Sequence, residues 1–280
     1  MVSTGAAEQS LRDGNLVTAL KQLQEQVRAM PADAKLRIFL CQLLAAMGQW
    51  ERALDQLNVA ATLDPEALAM AQMYREALRC ELLRAEVFAG KRSPMVLGQP
   101  DEWLALLIES TLVAGRGQPE QAATLRTSAF DSAPASPGSI DGVAFDWIAD
   151  ADMRLGPVLE AILNGRYYWI PFSRMRRVQI EKPEDLRDLV WMPAHFEFAN
   201  GGEAVGLIPT RYPGSERSED GAICLARKTV WQEVSAGVFH GLGQRLLATD
   251  KGEYPVMDVR NIELTGPPAG GDPTVEAGGG

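Results

Sequence analysis

From Leu16 to Met30 the apolar positions Leu16, Ala19, Leu20, Leu23, Val27 and Met30 fall on steps of three and four, one face of a helix. Pro31 interrupts that helix, and Asp33 is placed to cap the next. The second helix, over 34–47, is apolar over much of its surface through Phe39, Leu40, Leu43 and Leu44. That predicts burial between neighbours on both sides. Gly48 ends it, and Trp50, Ala53, Leu54, Leu57 and Ala61 carry the pattern to Leu63. Asp64-Pro65-Glu66 then reads as N-cap, first position and first-turn acid of a long helix reaching Phe88. Regularity lapses through Ser93-Pro94 and returns where Asp101 is expected to cap a helix holding Trp103, Leu106, Leu107 and Leu112.

These helices repeat. Gly14 and Gly48, Ala19 and Ala53, and Pro31 and Pro65 are each 34 residues apart. Gly117, Ala122 and Pro134 follow the second set by 69 residues, two periods plus one. A small residue at the turn, another in the second helix and a closing proline resemble the tetratricopeptide helix-turn-helix repeat. Such units bury their apolar faces only by stacking, and the groove left over is where partners usually bind. The pattern points to recognition before catalysis.

Beyond 132–142, a Ser-, Pro- and Gly-rich break, the period changes. Tyr167, Tyr168, Trp169, Ile170 and Phe172 form an aromatic extended segment, and His195-Phe196-Glu197-Phe198 alternates. Further strands are expected over 204–208, 222–226, 229–231 and 256–264, with Asn200-Gly201-Gly202 as a hairpin turn. A helix is expected over 153–164 and a further helical turn over 183–189. The predicted class is α+β. A tetratricopeptide-like all-α array (1–135) and a linker (136–149) precede an all-β, partly open antiparallel barrel (150–265), and the Gly/Pro-rich tail 266–280 is expected to lack order.

Composition narrows the function. A net charge of -10 argues against a chain built to neutralise phosphates and favours a basic partner surface. Three separated cysteines, Cys41, Cys80 and Cys224, suggest neither a disulfide framework nor zinc spacing. With no signal-peptide pattern and no uninterrupted apolar run of membrane length, a cytoplasmic location is expected. No cofactor motif appears: Gly115-x-Gly117 lacks the strand and the further glycines of a phosphate loop.

Two groups of side chains carry candidate chemistry. Asp141, Asp146, Asp150 and Asp152 form an acidic cluster, and Asp150 with Asp152 and His195 would be the centre of a metal-dependent or hydrolytic site. The structural reading has Asp152 capping the expected helix, Asp150 supporting its positive end and Arg154 or Arg166 pairing with one of them. That makes the group a junction between the two halves. Arg174, Arg176 and Arg177 lie beside Tyr167, Tyr168 and Trp169, the residue types of a protein-binding hot spot.

The segment Asp150-Ala-Asp152-x-Arg154-Leu-Gly156-Pro157-x-Leu-Glu160 resembles the ImpE family, the TagJ-type accessory proteins of bacterial type VI secretion systems. The likeness continues through Gly165-Arg-Tyr167-Tyr-Trp169-Ile-Pro171-Phe, Asp188-Leu-Val-Trp191 and Tyr212-Pro-Gly-Ser215. It implies a non-enzymatic cytoplasmic adaptor without cofactor or metal. Its implied partner is the N-terminal helix of the small contractile-sheath subunit, with a link to the AAA+ ATPase that disassembles the sheath.

Overall fold

The computed structural model describes residues 5–65, 68–235 and 237–265. Seven helices come first: α1 (Gly5–Arg12), α2 (Leu16–Ala29), α3 (Ala34–Ala46), α4 (Trp50–Leu63), α5 (Leu68–Phe88), α6 (Glu102–Gly115) and α7 (Pro119–Ser132). The first of them, absent from the periodicity reading, pairs with α2 as α3 pairs with α4 and α6 with α7. Each hairpin turns on a glycine in the left-handed region: Gly14 (φ 76°), Gly48 (φ 67°) and Gly117 (φ 77°). The following amide closes back five residues, Asn15 to Ser10 O at 2.8 Å, Gln49 to Leu44 O at 2.8 Å and Gln118 to Val113 O at 3.3 Å. These are the glycine C-caps that the spacing demanded. Ala19, Ala53 and Ala122 are buried where the paired helices cross.

Asp33 caps α3 through Leu36 N at 3.1 Å. Asp101 does not cap α6 with its side chain; its carboxylate is drawn to Arg174 at 3.0 Å. The tail 266–280 and Glu66 of the expected cap lie outside the described residues.

The second half is a β domain whose main sheet is not closed into a barrel. Its strands are β1 (Gly138–Ile140), β2 (Val143–Phe145), β4 (Val158–Leu163), β5 (Arg166–Pro171), β6 (Met175–Ile180), β7 (Trp191–Phe198), β8 (Glu203–Pro209) and β13 (Asn261–Leu264). They run in the order β2-β1-β13-β6-β7-β8-β4-β5, so the ends β2 and β5 do not meet. The edge of β5 is instead covered by Met95, whose carbonyl accepts from Trp169 N at 2.9 Å. A three-stranded sheet joins β3 (Ile148–Asp150), β11 (Leu246–Thr249) and β12 (Gly252–Pro255). A separate ribbon pairs β9 (Thr229–Ser235) with β10 (Val238–Gly243).

Several expectations are corrected. The helix expected over 153–164 is a turn followed by β4. All six residues of that strand are buried, so Val-Leu-Glu-Ala-Ile-Leu carries no alternation to distinguish it from a helix. Residues 222–226 form no strand but the short helix α8 (Gly221–Cys224), capped by Asp220 through Ala222 N at 2.8 Å. The strand at 256–264 is confined to Asn261–Leu264. The segment 136–149 also does more than connect, since β1 pairs with β13. Gly138 permits this, because a Cβ there would lie 2.0 Å from Glu263 O.

Around β4, β5 and the start of β7 the sheet is buried on both faces. Leu159, Ile170, Phe172, Val178, Phe196 and Ile208 share one core with β3 and β11. On the opposite face Val158, Ile162, Tyr167, Trp169, Trp191 and Leu207 share a second core with the helices.

Candidate functional site at the seam of helices and sheet

The inner face of the helical array is filled by the protein's own β domain. Trp191 packs between Trp50 (ring centroids 6.2 Å) and Tyr74 (5.8 Å), and Trp169 packs on Phe88 at 5.7 Å. The 34-residue echo extends to these contacts. Arg227 donates to Leu11 O and Arg12 O, at 2.9 and 2.7 Å, closing the C-terminus of α1. Arg211 donates to Ala45 O and Ala46 O, at 3.4 and 2.6 Å, the equivalent carbonyls of α3 one period later. Cationic side chains satisfy carbonyls that a helix end leaves unpaired. At the turn glycines the echo stops: a Cβ on Gly48 would lie 2.4 Å from Glu216 Cγ, whereas one on Gly14 would meet nothing, and it is Gly221 whose Cβ would lie 1.9 Å from Gly14 O.

At the centre of the seam lies an ionic network with almost no access to water. Arg84 of α5 grips Glu160 of β4 with Nε at 2.6 Å and Nη2 at 3.0 Å, and donates to Arg211 O at 2.7 Å. Arg245, fully buried, bridges Glu160 and Asp150 and donates to Pro209 O at 2.8 Å. Tyr167 donates to Glu160 at 2.5 Å and accepts from Trp169 Nε1 at 2.7 Å. Glu81 accepts from Trp191 Nε1 at 2.9 Å. Burial pushes the Glu160 carboxyl up, but Arg84 and Arg245 outweigh it and hold the group down at about 2. For Asp150 burial prevails over Arg245, and its carboxyl is pushed up to about 7.

Asp152 caps no helix. It accepts from Arg154 N and Nε, both at 2.8 Å, and from Gly241 N at 2.7 Å. Burial opposes its charge, but Arg154 and these bonds hold its pKa below the ordinary aspartate range. Asp152 also donates its own amide to Asp150 at 2.9 Å. Gly156, at φ 54°, sits where a Cβ would lie 2.5 Å from the Phe130 ring of α7. Pro157 follows it and accepts from Phe172 N at 3.1 Å. The Asp150-to-Pro157 turn thus joins three parts of the molecule.

The proposed catalytic grouping is not assembled. His195 stands on β7 with Glu203 3.5 Å from its Nε2, whereas Asp150 and Asp152 are engaged by arginines and backbone amides. Asp141 is committed to Asn261 N at 2.7 Å, and the Asp146 amide to Asp250 at 2.8 Å. Among the described residues, no group of three His, Cys, Asp or Glu side chains could hold a metal ion. The cysteines are free and buried, and burial pushes the thiols of Cys41 and Cys80 up to about 12.

The aromatic–arginine cluster is split by strand alternation. Tyr167 and Trp169 are fully buried in the seam and therefore corrected from partner-binding candidates to structural ones. Tyr168 faces the other way, into a cleft of about 820 Å³ lined also by Leu97, Leu163, Phe198 and Ala204. Arg174 borders the cleft and is fixed by Leu97 O, Gln99 O and Asp101. Arg177 bridges Glu197 and Glu263 at 3.2 and 3.1 Å, and Arg176 is exposed on β6. The isolated arginines 84, 211 and 245 were missed in the sequence. Arg84 alone left a signal, falling on the same face of α5 as the apolar Ala77 and Phe88.

A family model described as ImpE protein matches residues 142–263. The type VI secretion system accessory component TagJ of Pseudomonas aeruginosa is 52% identical over 258 residues, 92% of this chain and 90% of that protein. The chain belongs to the ImpE family. It is a TagJ-type protein, and its fold is shared with the crystal structure of protein VPA1032 from Vibrio parahaemolyticus. That structure matches at a TM-score of 0.85 and 28% identity, over 93% of this chain and 97% of the other. The family match spans the Asp150-to-Pro157 turn and the β-domain members of the network, Glu160, Tyr167 and Arg245, but not Arg84 or Glu81 of α5. Among the described residues, no helix is long and apolar enough to cross a membrane.

Proposed function

We propose that this ImpE-family protein is a non-enzymatic accessory component of a type VI secretion system, acting in the cytoplasm as an adaptor. Its ligand is the N-terminal helix of the small contractile-sheath subunit, which links it to sheath recycling by the AAA+ disassembly ATPase. The observation that carries this reading is the 52% identity with a TagJ accessory component along almost the whole of both chains. The array is of tetratricopeptide type, with its usual ligand groove given over to the β domain.

A partner helix then needs another surface, and the Tyr168 cleft supplies one. Its floor is apolar through Leu97, Leu163, Phe198 and Ala204, and its rim carries Asn164, Asn200 and Glu203. A helix with one apolar face and polar flanks matches that arrangement. The net charge of -10 favours a ligand whose polar face is basic.

The test is capture of the sheath subunit, intact and without its N-terminal helix, by the full chain. Binding should vanish with the helix and weaken at least about tenfold with Ala204→Arg, which fills the cleft; a tenfold change corresponds to about 1.4 kcal/mol. Val205→Lys, at an exposed neighbouring position, should leave it unchanged. Undiminished binding of the truncated subunit would exclude the helix as ligand.

A further inference from the structure

The ribbon of β9 and β10 has two unlike edges. Along β10, Phe239 N points to Met153 Sδ at 3.5 Å, Gly241 N to Asp152 Oδ2 at 2.7 Å and Gly243 N to Ser215 Oγ at 2.8 Å. Gly241 O accepts from Arg154 at 3.4 Å and Gly243 O from Tyr212 N at 2.9 Å. The outer edge of β10 is therefore spent on the Asp152–Arg154 turn and the 212–215 loop.

The register fixes the other edge. Phe239, Gly241 and Gly243 pair with Glu233, Trp231 and Thr229. In an antiparallel ladder, residues whose amides point away from the partner strand face residues that do the same. Thr229, Trp231 and Glu233 must direct their N–H and C=O groups away from β10, and among the described residues β9 has no second strand beside it. Trp231, Gln232, Glu233 and Val234 are all exposed. The strand Thr-Val-Trp-Gln-Glu-Val-Ser contains no proline or lysine, the usual means of blunting an open edge.

We infer that β9 is the pairing edge of a symmetric dimer, its occupant the β9 strand of a second copy of this chain. An antiparallel two-fold centred on Trp231 sets Thr229 opposite Glu233 of the other copy and Trp231 opposite itself. That register pairs every outward group of the three residues, about six hydrogen bonds in all. The only charge on the strand, Glu233, meets a threonine and never its own copy, so no like charges oppose one another. The two ribbons become one four-stranded sheet, beyond the marginal two-stranded limit. Asp152 and Arg154 then act as the brace that holds each ribbon in position.

The mass of the full-length chain in solution, by light scattering and sedimentation across a concentration series, should approach twice the 30.4 kDa of one copy. Glu233→Pro removes one outward N–H and leaves the β10 ladder intact, so it should give a folded monomer. Trp231→Cys should form a disulfide-linked dimer on mild oxidation, because directly opposed strand residues lie within disulfide reach. Gln232→Cys, offset from its own copy, should crosslink far more slowly. The native thiols, all buried, add little background. If Glu233→Pro fails to fold, the two cysteine variants decide alone. A monomer at every concentration, a dimer indifferent to Glu233→Pro, or faster crosslinking through Gln232 would overturn the inference. So would a monomer whose β9 amides gain exchange protection only when another protein binds.

Discussion

Tyr167 and Tyr168 are adjacent in the chain, yet one belongs to the seam and the other to the cleft. Alternation along β5 sends Tyr167 and Trp169 to the helices, where hydroxyl, indole and Glu160 form one chain of bonds. Tyr168 turns to the cleft beside Phe198. Both regions use aromatic residues, arginine and acid. The seam encloses them in arginine–carboxylate pairs and hydrogen bonds, whereas the cleft leaves an apolar floor without a cover. Closure of the charge network makes a joint; lack of a cover leaves the surface proposed for docking.

The sharpest way to break that contrast is at Glu160. Glu160→Ala leaves Arg84 with only the longer contact to Glu81, at 3.4 Å, and Arg245 with Asp150 alone. Removing one side of a buried pair costs about 3–5 kcal/mol, so the midpoint of chemical denaturation should fall steeply. Loss of partner binding in this variant should track unfolding. A stable Glu160→Ala protein would mean that the network contributes little to joining the two halves.

A smaller effect separates the two tyrosines. Tyr167→Phe removes the hydroxyl between Glu160 and Trp169 Nε1, leaving a buried indole donor unpaired at a cost of about 1–3 kcal/mol. Partner affinity per folded molecule should not change. Tyr168→Ala should reverse the pattern: about tenfold weaker partner binding, read by calorimetry, with a smaller shift in the denaturation midpoint. If both variants alter stability and neither alters binding, the cleft is not the docking surface.

Which tyrosine does which was not legible from the aromatic run, because its parity depends on register. The helices α2 to α7 were legible, since glycine, alanine and proline recur where a hairpin turns, crosses and closes. By contrast, α1 is short and supplies only two buried apolar residues, Ala7 and Leu11. Burial on both faces erased the alternation that marks a strand in β4. The Asp150-to-Pro157 segment was given a helix it does not cap. Its actual partners, Arg245 and Gly241, lie about ninety residues along the chain, a separation that no local pattern reports.

The smallest effect is expected where the network is least well matched, at Asp150. Its carboxyl is raised from 3.8 to about 7, so the folded protein holds this proton more tightly than the unfolded chain does. Between pH 4 and 7 the folded state then binds more protons, and the Asp150 contribution to stability falls as pH rises through that window. Asn in its place can still accept from Arg245 and the Asp152 amide, while Glu160 continues to neutralise Arg245. Asp150→Asn should therefore match the wild type best at low pH and gain on it steadily as pH rises toward 7, the gap levelling off above that. Thermal unfolding across this range reads the difference directly. The opposite slope, with the variant losing ground as pH rises, would mean that Arg245 outweighs burial and that Asp150 is held as firmly as Glu160.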